Sequence, residues 1–266
     1  MLETRIEALE RRLREAEEAS RRKSRMLASL SHDLRSPLQA ITAMAEVIHL
    51  AAQSPQSHLR IPGLARRLEA NALSMVEMLS EVIDASAFES GHTSVKESDF
   101  PLDGLLNDEC RRLLALAQAK GLRLTVDASQ ARIWLRTDRT KLARIVGNLL
   151  GNAIKFTSVG EVRVGYDVAD GGEVLIAVKD TGPGIDAGNL KKIFDEFAQV
   201  QGAHRNPAAG WGLGLPICRR LVQLIGGAIG VESRLGEGSV FTVRLPRECI
   251  VMAGRQDDEI LPIFGQ

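Results

Sequence analysis

Apolar side chains recur at Leu2, Ile6, Leu9, Leu13, Ala16, Leu27, Leu30 and Leu34 in alternating steps of four and three, with only Ser20 and Lys23 breaking the series. That heptad seam predicts a coiled coil over 1–24 that runs on into the next segment. Glutamate and arginine fill most other positions of the first twenty, so the stripe is too narrow to suit a helix packed on its own domain. With Leu27 and Leu34 at a and Leu30 at d, His32 takes the outward f position. Pro37 removes a backbone donor and crowds the preceding turn, which predicts a bend. The helical pattern resumes through Ile41, Met44, Ala45 and Ile48, breaks at AAQSPQSHLRIPG, and returns at Leu64, Leu68, Ala72, Met75, Leu79 and Val82. Two such helices in a hairpin cannot bury both stripes alone. The expectation is a helical domain over 25–91 that dimerises into a four-helix bundle.

From about Ser98 the pattern becomes mixed. A helix carries Leu105 to Leu116, and strands are expected at Leu122–Val126 and Ile133–Leu135. Another helix covers Arg139–Phe156, with Asp138 suited to cap it. Strands at Glu161–Val168 and Glu173–Val178 flank the Asp170-Gly171-Gly172 turn. A long segment from Asp186 to Gly210 contains one short helix near Leu190–Phe197. A helix at Leu215–Ile225 and strands at Ala228–Glu232 and Ser239–Leu245 follow. This order predicts an α/β sandwich over 98–248 with helices on one face, and Trp134 is read as sheet core. The tail 249–266 carries no motif and is expected to be a frayed end or a small docking segment.

Composition narrows the function classes. Thirty-four basic residues balance thirty-four acidic ones, so there is no basic footprint for nucleic acid. No apolar run reaches the ~18 residues of a membrane span, and the N-terminus does not read as a signal peptide. Cys110, Cys218 and Cys249 are isolated, which argues against a disulfide framework or a zinc site and favours a reducing cytosol.

Four segments carry chemistry. Ser31-His32-Asp33-Leu34-Arg35-Ser36-Pro37-Leu38 sets a carboxylate beside an outward histidine. Asn148 and Asn152 stand one helical turn apart with Lys155 on the next turn, a surface suited to magnesium and its phosphates. Asp180-Thr181-Gly182-Pro183-Gly184-Ile185 follows a strand, where glycines let the backbone approach a ligand; an ordinary turn is the alternative. Gly210-Trp211-Gly212-Leu213-Gly214-Leu215 precedes a helix whose N-terminus can hold phosphate oxygens, although GxGxG alone is weak and neither a dinucleotide fingerprint nor a P-loop is present.

Together with Phe194-Asp195-Glu196-Phe197, these segments occur in an order and spacing that resembles sensor histidine kinases of two-component systems, over roughly residues 20 to 246. The resemblance implies a dimerisation and phosphotransfer domain followed by an ATP-binding domain of the type found in gyrase and the heat-shock chaperone. It makes His32 the phosphoacceptor and Asp33 the partner that orients its ring. It makes Asn152 the magnesium ligand, with Asn148 beside it and Lys155 on phosphate. Asp180 is implied to read the adenine amine, with Gly182 and Gly184 passing close to the base. Gly210, Gly212, Leu213 and Gly214 are implied to line the phosphates under a lid over about 187–209, its start anchored by Phe194 and Phe197. Hydrolytic relatives place a glutamate where this chain has Asn148, which cannot take a proton. That argues for transfer to a protein nucleophile and against a chaperone-type ATPase.

Ser36 stands where many such kinases carry threonine or asparagine for dephosphorylating the partner, so the phosphatase direction stays open. A nucleotide-binding scaffold biased to that direction is the alternative function. The ~20 residues after the last strand cannot form a receiver domain, so the implied acceptor is an aspartate of a separate response regulator. The input is expected from an upstream sensor domain or protein through the coiled coil. His49, His58, His92 and His204 are read as surface residues, and Trp211 as either a nucleotide cover or lid packing.

Overall fold

The computed structural model describes residues 34, 37–53, 61–69, 71–72, 75–76, 79, 94–127, 131–195, 214–255 and 261–262. The chain divides into two compact units, Met1–Val82 and Ile83–Gln266. In the first, residues 37–52 form helix α1 and residues 61–69 form helix α2, with helical residues also at 71–72, 75–76 and 79. Pro37, Ile41, Met44 and Ile48 are half-buried, as the three-and-four spacing requires. None of the described residues of this unit is fully buried, and Leu38, Val47, Leu50, Val76 and Leu79 are exposed. The coiled-coil seam over 1–24 and the turn preceding Pro37 lie outside the described residues.

The second unit runs β1 (Ser98–Pro101), α3 (Leu102–Ala119), β2 (Arg123–Val126), β3 (Ala131–Thr137), α4 (Arg139–Phe156), β4 (Glu161–Val168), β5 (Val174–Asp180), α5 (Gly214–Leu224), β6 (Ala228–Arg234), β7 (Gly238–Leu245), β8 (Ile250–Arg255) and β9 (Leu261–Pro262). Five strands form one sheet in the order β2-β4-β5-β7-β6, antiparallel except where β2 meets β4. Alternate residues of its central strands, among them Val162, Val164, Ile176, Val178, Val243 and Leu245, are fully buried. Helix α4 packs between α3 and α5 and reaches β4 and β5, presenting Ile145, Leu149, Leu150 and Ile154 to the core. The expected sandwich with helices on one face is therefore what forms, with the core between α4 and β5.

A second sheet, β1-β3-β8-β9, bears on the sequence reading in three ways. The described start of the tail is not a frayed end and follows the docking alternative: a 3-10 turn at Arg247–Cys249 leads into β8, which pairs antiparallel with β3. Buried Cys249 and Ile250 hold that turn in place. Strand β1, absent from the expected elements, pairs with the other edge of β3. Trp134 is half-buried, because strand alternation gives the core face to its fully buried neighbours Ile133 and Leu135.

Asp138 caps α4. One carboxylate oxygen accepts the Lys141 amide at 3.0 Å, while the other accepts the Lys96 amide at 2.9 Å and the Lys141 ammonium at 2.6 Å. Lys141 Nζ also donates to the Ser94 carbonyl at 2.8 Å, so the segment entering the unit is tied to the first turn of α4. Burial pushes the Asp138 carboxyl up, but the hydrogen bonds from Lys141 and Lys96 outweigh it and leave it below its ordinary value. A depressed carboxyl adds stability above the ordinary carboxylate range, and that stability is lost as pH falls through the folded value. Asp138→Ala is expected to cost about 3 kcal/mol in urea unfolding at neutral pH, through the lost cap and the ammonium left without its partner. The difference from the unsubstituted chain should shrink as the medium is acidified below about pH 4.

Candidate functional site

Strand β5 lies at the centre of the five-stranded sheet, and its last residue, Asp180, is only 6% exposed. Burial pushes its carboxyl above the ordinary value, and the backbone amides of Gly182 and Ser239 pull it partly back. The Gly182 amide donates to Oδ1 at 2.8 Å. An ionised carboxylate offers about four acceptor positions, so two amides leave it with capacity for a ligand donor.

The loop after Asp180 is fixed from two sides. Thr181 N–H donates to the Glu161 carbonyl at 3.2 Å and Thr181 Oγ1 accepts the Glu161 amide at 3.0 Å, tying the loop to β4. On the other side Ile185 N–H donates to Ser233 Oγ at 2.8 Å, and Gly236 N–H to the Pro183 carbonyl at 2.8 Å. Ser233 Oγ donates to the Gly238 carbonyl at 2.7 Å, so Ser239 is the donor in the 3.0 Å contact between the two hydroxyls. Gly184 has a φ of +70°, and a Cβ there would collide with the Arg234 carbonyl. Only glycine allows the loop to lie this close to the β6–β7 hairpin.

Helix α4 supplies the opposite wall. Asn148, Asn152 and Lys155 are half-buried on its flank, away from the fully buried arc of Leu142, Ile145, Leu149 and Ile154. The Lys155 ammonium lies 5.4 Å from the Phe156 ring centroid. The helix ends at Thr157, whose N–H donates to the Ala153 carbonyl at 3.0 Å. Its hydroxyl is buried and has no hydrogen-bond partner. A Cβ on Gly182 would lie 2.8 Å from Asp180 Oδ1 and 3.2 Å from Thr157 Oγ1, so the two oxygens converge on a space that only a glycine leaves open. A buried hydroxyl without a partner costs about 1–3 kcal/mol, which a bound ligand or a water held with it recovers.

The structure thus brings Asp180, Gly182 and Gly184 together and adds Thr157, Ser233 and Ser239, which sequence reading did not single out. Thr157 closes the Asn148 segment, and its place directly after the helix was the available signal; the serines join only through strand pairing. Gly214 is the first residue of α5, as expected of a helix N-terminus at that glycine segment. Phe194 is half-buried in a 3-10 turn at Lys192–Phe194, and its neighbour Ile193 is the residue that is buried. Ile193 thus adds a buried contact beside Phe194 at the start of the segment. Asp186 Oδ1 accepts the Gly188 amide at 2.9 Å at the start of this segment. His32, Asp33, Ser36, Phe197, Gly210, Trp211, Gly212, Leu213, His58, His92 and His204 lie outside the described residues. His49 is exposed, 3.2 Å from Gln53 Nε2.

The family of histidine kinase-, DNA gyrase B- and HSP90-like ATPases matches residues 137–248, and the His Kinase A (phospho-acceptor) domain matches residues 22–91. The sensor histidine kinase AruS of Pseudomonas aeruginosa is 37% identical over 252 residues, which are 90% of this chain and 24% of AruS. The sensor histidine kinase RcsC of Escherichia coli is 35% identical over 242 residues, covering 90% of this chain and 25% of RcsC. The chain thus spans about a quarter of the length of these curated relatives. Among solved structures, full-length ShkA in complex with AMPPNP superposes with a TM-score of 0.59 at 30% identity, over 83% of this chain and 45% of ShkA. With a phosphoacceptor helical domain followed by this ATPase fold, the chain belongs to the sensor histidine kinases of two-component systems.

Proposed function

We propose that the chain is the ATP-dependent protein-histidine kinase core of a two-component sensor. The observation that carries this reading is the buried Asp180 carboxylate converging with the partnerless Thr157 hydroxyl on the Gly182 opening, in a chain whose phosphoacceptor domain carries His32. Asp180 accepts a hydrogen bond from the adenine exocyclic amine, and Gly182 and Gly184 let the base pass close to the backbone. Gly210, Gly212, Leu213 and Gly214 present backbone amides and the α5 N-terminus to the phosphates, with Lys155 adding charge. The half-buried Phe194 and nearby Phe197 belong to the start of the lid. Asn152 is the side chain suited to hold magnesium, with Asn148 beside it. Magnesium bound there would neutralise phosphate charge during transfer.

Chemistry then falls to the helical unit. A ring nitrogen of His32 attacks the γ-phosphorus: an N–P bond forms while the bond to the bridging oxygen breaks, and that oxygen leaves with the electron pair on ADP. Asp33 accepts a hydrogen bond from the other ring nitrogen and keeps the attacking one unprotonated. Asn148 cannot act as a base toward water, which supports transfer over hydrolysis. The phosphoryl group passes on to an aspartate of a response-regulator receiver domain, and Ser36 is the residue on which any reverse, phosphatase step depends.

The unit works as a homodimer, a reading supported by the exposed apolar side chains of Leu38, Val47 and Leu50 on α1 and of Val76 and Leu79 beyond α2. Its input comes from an upstream sensor domain or protein through the N-terminal coiled coil. The buried thiols of Cys110, Cys218 and Cys249 support a cytoplasmic setting, and no helix among the described residues is long and apolar enough to cross a membrane.

Incubation with ATP labelled at the γ-phosphate should give a protein label that is stable in base and lost in acid. His32→Gln should abolish it, and Asn152→Ala should lower its rate about 100-fold or more. Steady phosphate release without labelled protein would sink the proposal. A second expectation concerns Asp180. Its raised carboxyl means that the native state holds the proton more tightly, so stability falls as pH rises from the ordinary carboxylate value to the folded one, and above it the buried charge is a constant cost. Without nucleotide, Asp180→Asn should therefore be at least as stable as the unsubstituted chain in thermal unfolding at neutral pH, while losing ATP binding.

A further inference from the structure

Helix α3 ends in a tight reversal. Gly121 N–H donates to the Gln118 carbonyl at 2.9 Å and Leu122 N–H to the Ala117 carbonyl at 3.0 Å, with Gly121 at a φ of +69°. This paired capping pattern fixes Lys120 as the last residue before the turn into β2. From there its ammonium reaches across to the far end of α4. Lys120 Nζ donates to the carbonyls of Ile154 at 2.9 Å, Lys155 at 2.6 Å and Thr157 at 3.4 Å. An ammonium has three donors, and here all three go to three carbonyls of one helix end.

Those carbonyls are the ones a helix leaves without partners in its last turn. The Ala153 carbonyl is already taken by the Thr157 amide, and the lysine satisfies three of the four carbonyls that follow it in the turn that delivers Thr157. Its positive charge also lies at the negative end of the α4 dipole. The same turn places Thr157 Oγ1 and the Phe156 carbonyl 3.2 and 3.5 Å from where a Gly182 side chain would begin. A shift in the backbone at 154–157 therefore moves the wall of the Asp180 pocket directly.

We propose that Lys120 is a positioning residue for the adenine pocket: it touches no part of the nucleotide and sets Thr157 by pinning the C-terminal turn of α4. The inference rests on the reading that the Asp180 pocket receives adenine. It assigns to the α3–β2 corner, distant in sequence from every nucleotide-binding segment, control over ATP affinity. The rate of phosphoryl transfer once ATP is bound changes little, because of the phosphate-side residues only Lys155 lies in the pinned turn, while Asn148 and Asn152 stand earlier on α4 and Gly214 opens α5.

The test uses the full chain and four variants, with ATP affinity from titration calorimetry and the labelling rate at saturating ATP. Lys120→Met keeps the stem and removes the donors; it should weaken ATP binding about tenfold and leave the saturated rate within about twofold. Lys120→Arg, which can still donate to several carbonyls, should recover most of the affinity. Arg136→Met, which breaks the pair with Asp99 on the other sheet at 2.8 Å, is the stability control and should leave ATP affinity unchanged. Asp180→Asn checks the premise. If Asp180→Asn loses ATP while Lys120→Met binds it as the unsubstituted chain does, the positioning role is overturned and the adenine reading stands. If Asp180→Asn binds ATP normally, the premise and the proposal fall together. Equal loss in Lys120→Met and Arg136→Met, or no recovery in Lys120→Arg, would also overturn it. Should Lys120→Met not fold, Lys120→Gln carries the same expectation at about threefold.

Discussion

A carboxylate held at the end of a central strand, almost out of contact with water, is the constraint around which the α/β unit is arranged. Asp180 can stay ionised there only if donors are brought to it, since an unsatisfied buried charge is among the costliest features a fold can carry. The Gly182 amide comes from the loop that follows, and the Ser239 amide from β7 across the sheet. Bringing both requires the loop to bend tightly against the β6–β7 hairpin, and this in turn requires Gly184 against Arg234 and the Ser233 hydroxyl between Ile185 and Gly238. The Thr157 hydroxyl is then held beside the same opening with no hydrogen-bond partner. The unit thus sets a buried carboxylate with capacity for a further donor beside a buried hydroxyl without a partner, both facing one opening.

What the sequence revealed follows from how local each feature is. Helix α4 and strand β4 were legible to the residue, because Asp138 caps the first and strict alternation marks the second. Asp180, Gly182 and Gly184 were legible because glycines after a strand announce a close approach. The second sheet was not, because β8 pairs with β3 from the opposite end of the unit and nothing in either segment declares the partner. Trp134 was assigned to the core on residue type, whereas the pleat gave that face to Ile133 and Leu135. No motif marks Lys120 in the sequence; only the packing of α3 against α4 turns it toward the carbonyls it serves.

The division into two units matches the chemistry proposed. Helices with exposed apolar side chains suit the proposed dimeric carrier of the phosphoaccepting histidine, and none of the described residues of that unit is buried. The α/β unit has that core. Its tail does not end with the last strand of the main sheet but returns through Cys249 and Ile250 to add β8, so the edge of β3 is covered and cannot pair with another chain there.

The central claim is that the buried carboxylate recognises the exocyclic amine of adenine. The most direct measurement is calorimetric titration of the full chain with ATP and with inosine triphosphate, which differs at that position by replacing the amine donor with a carbonyl acceptor. The account predicts that ATP binds at least about tenfold more tightly, the scale expected for one hydrogen bond to a buried charge. Equal affinities for the two nucleotides would contradict it.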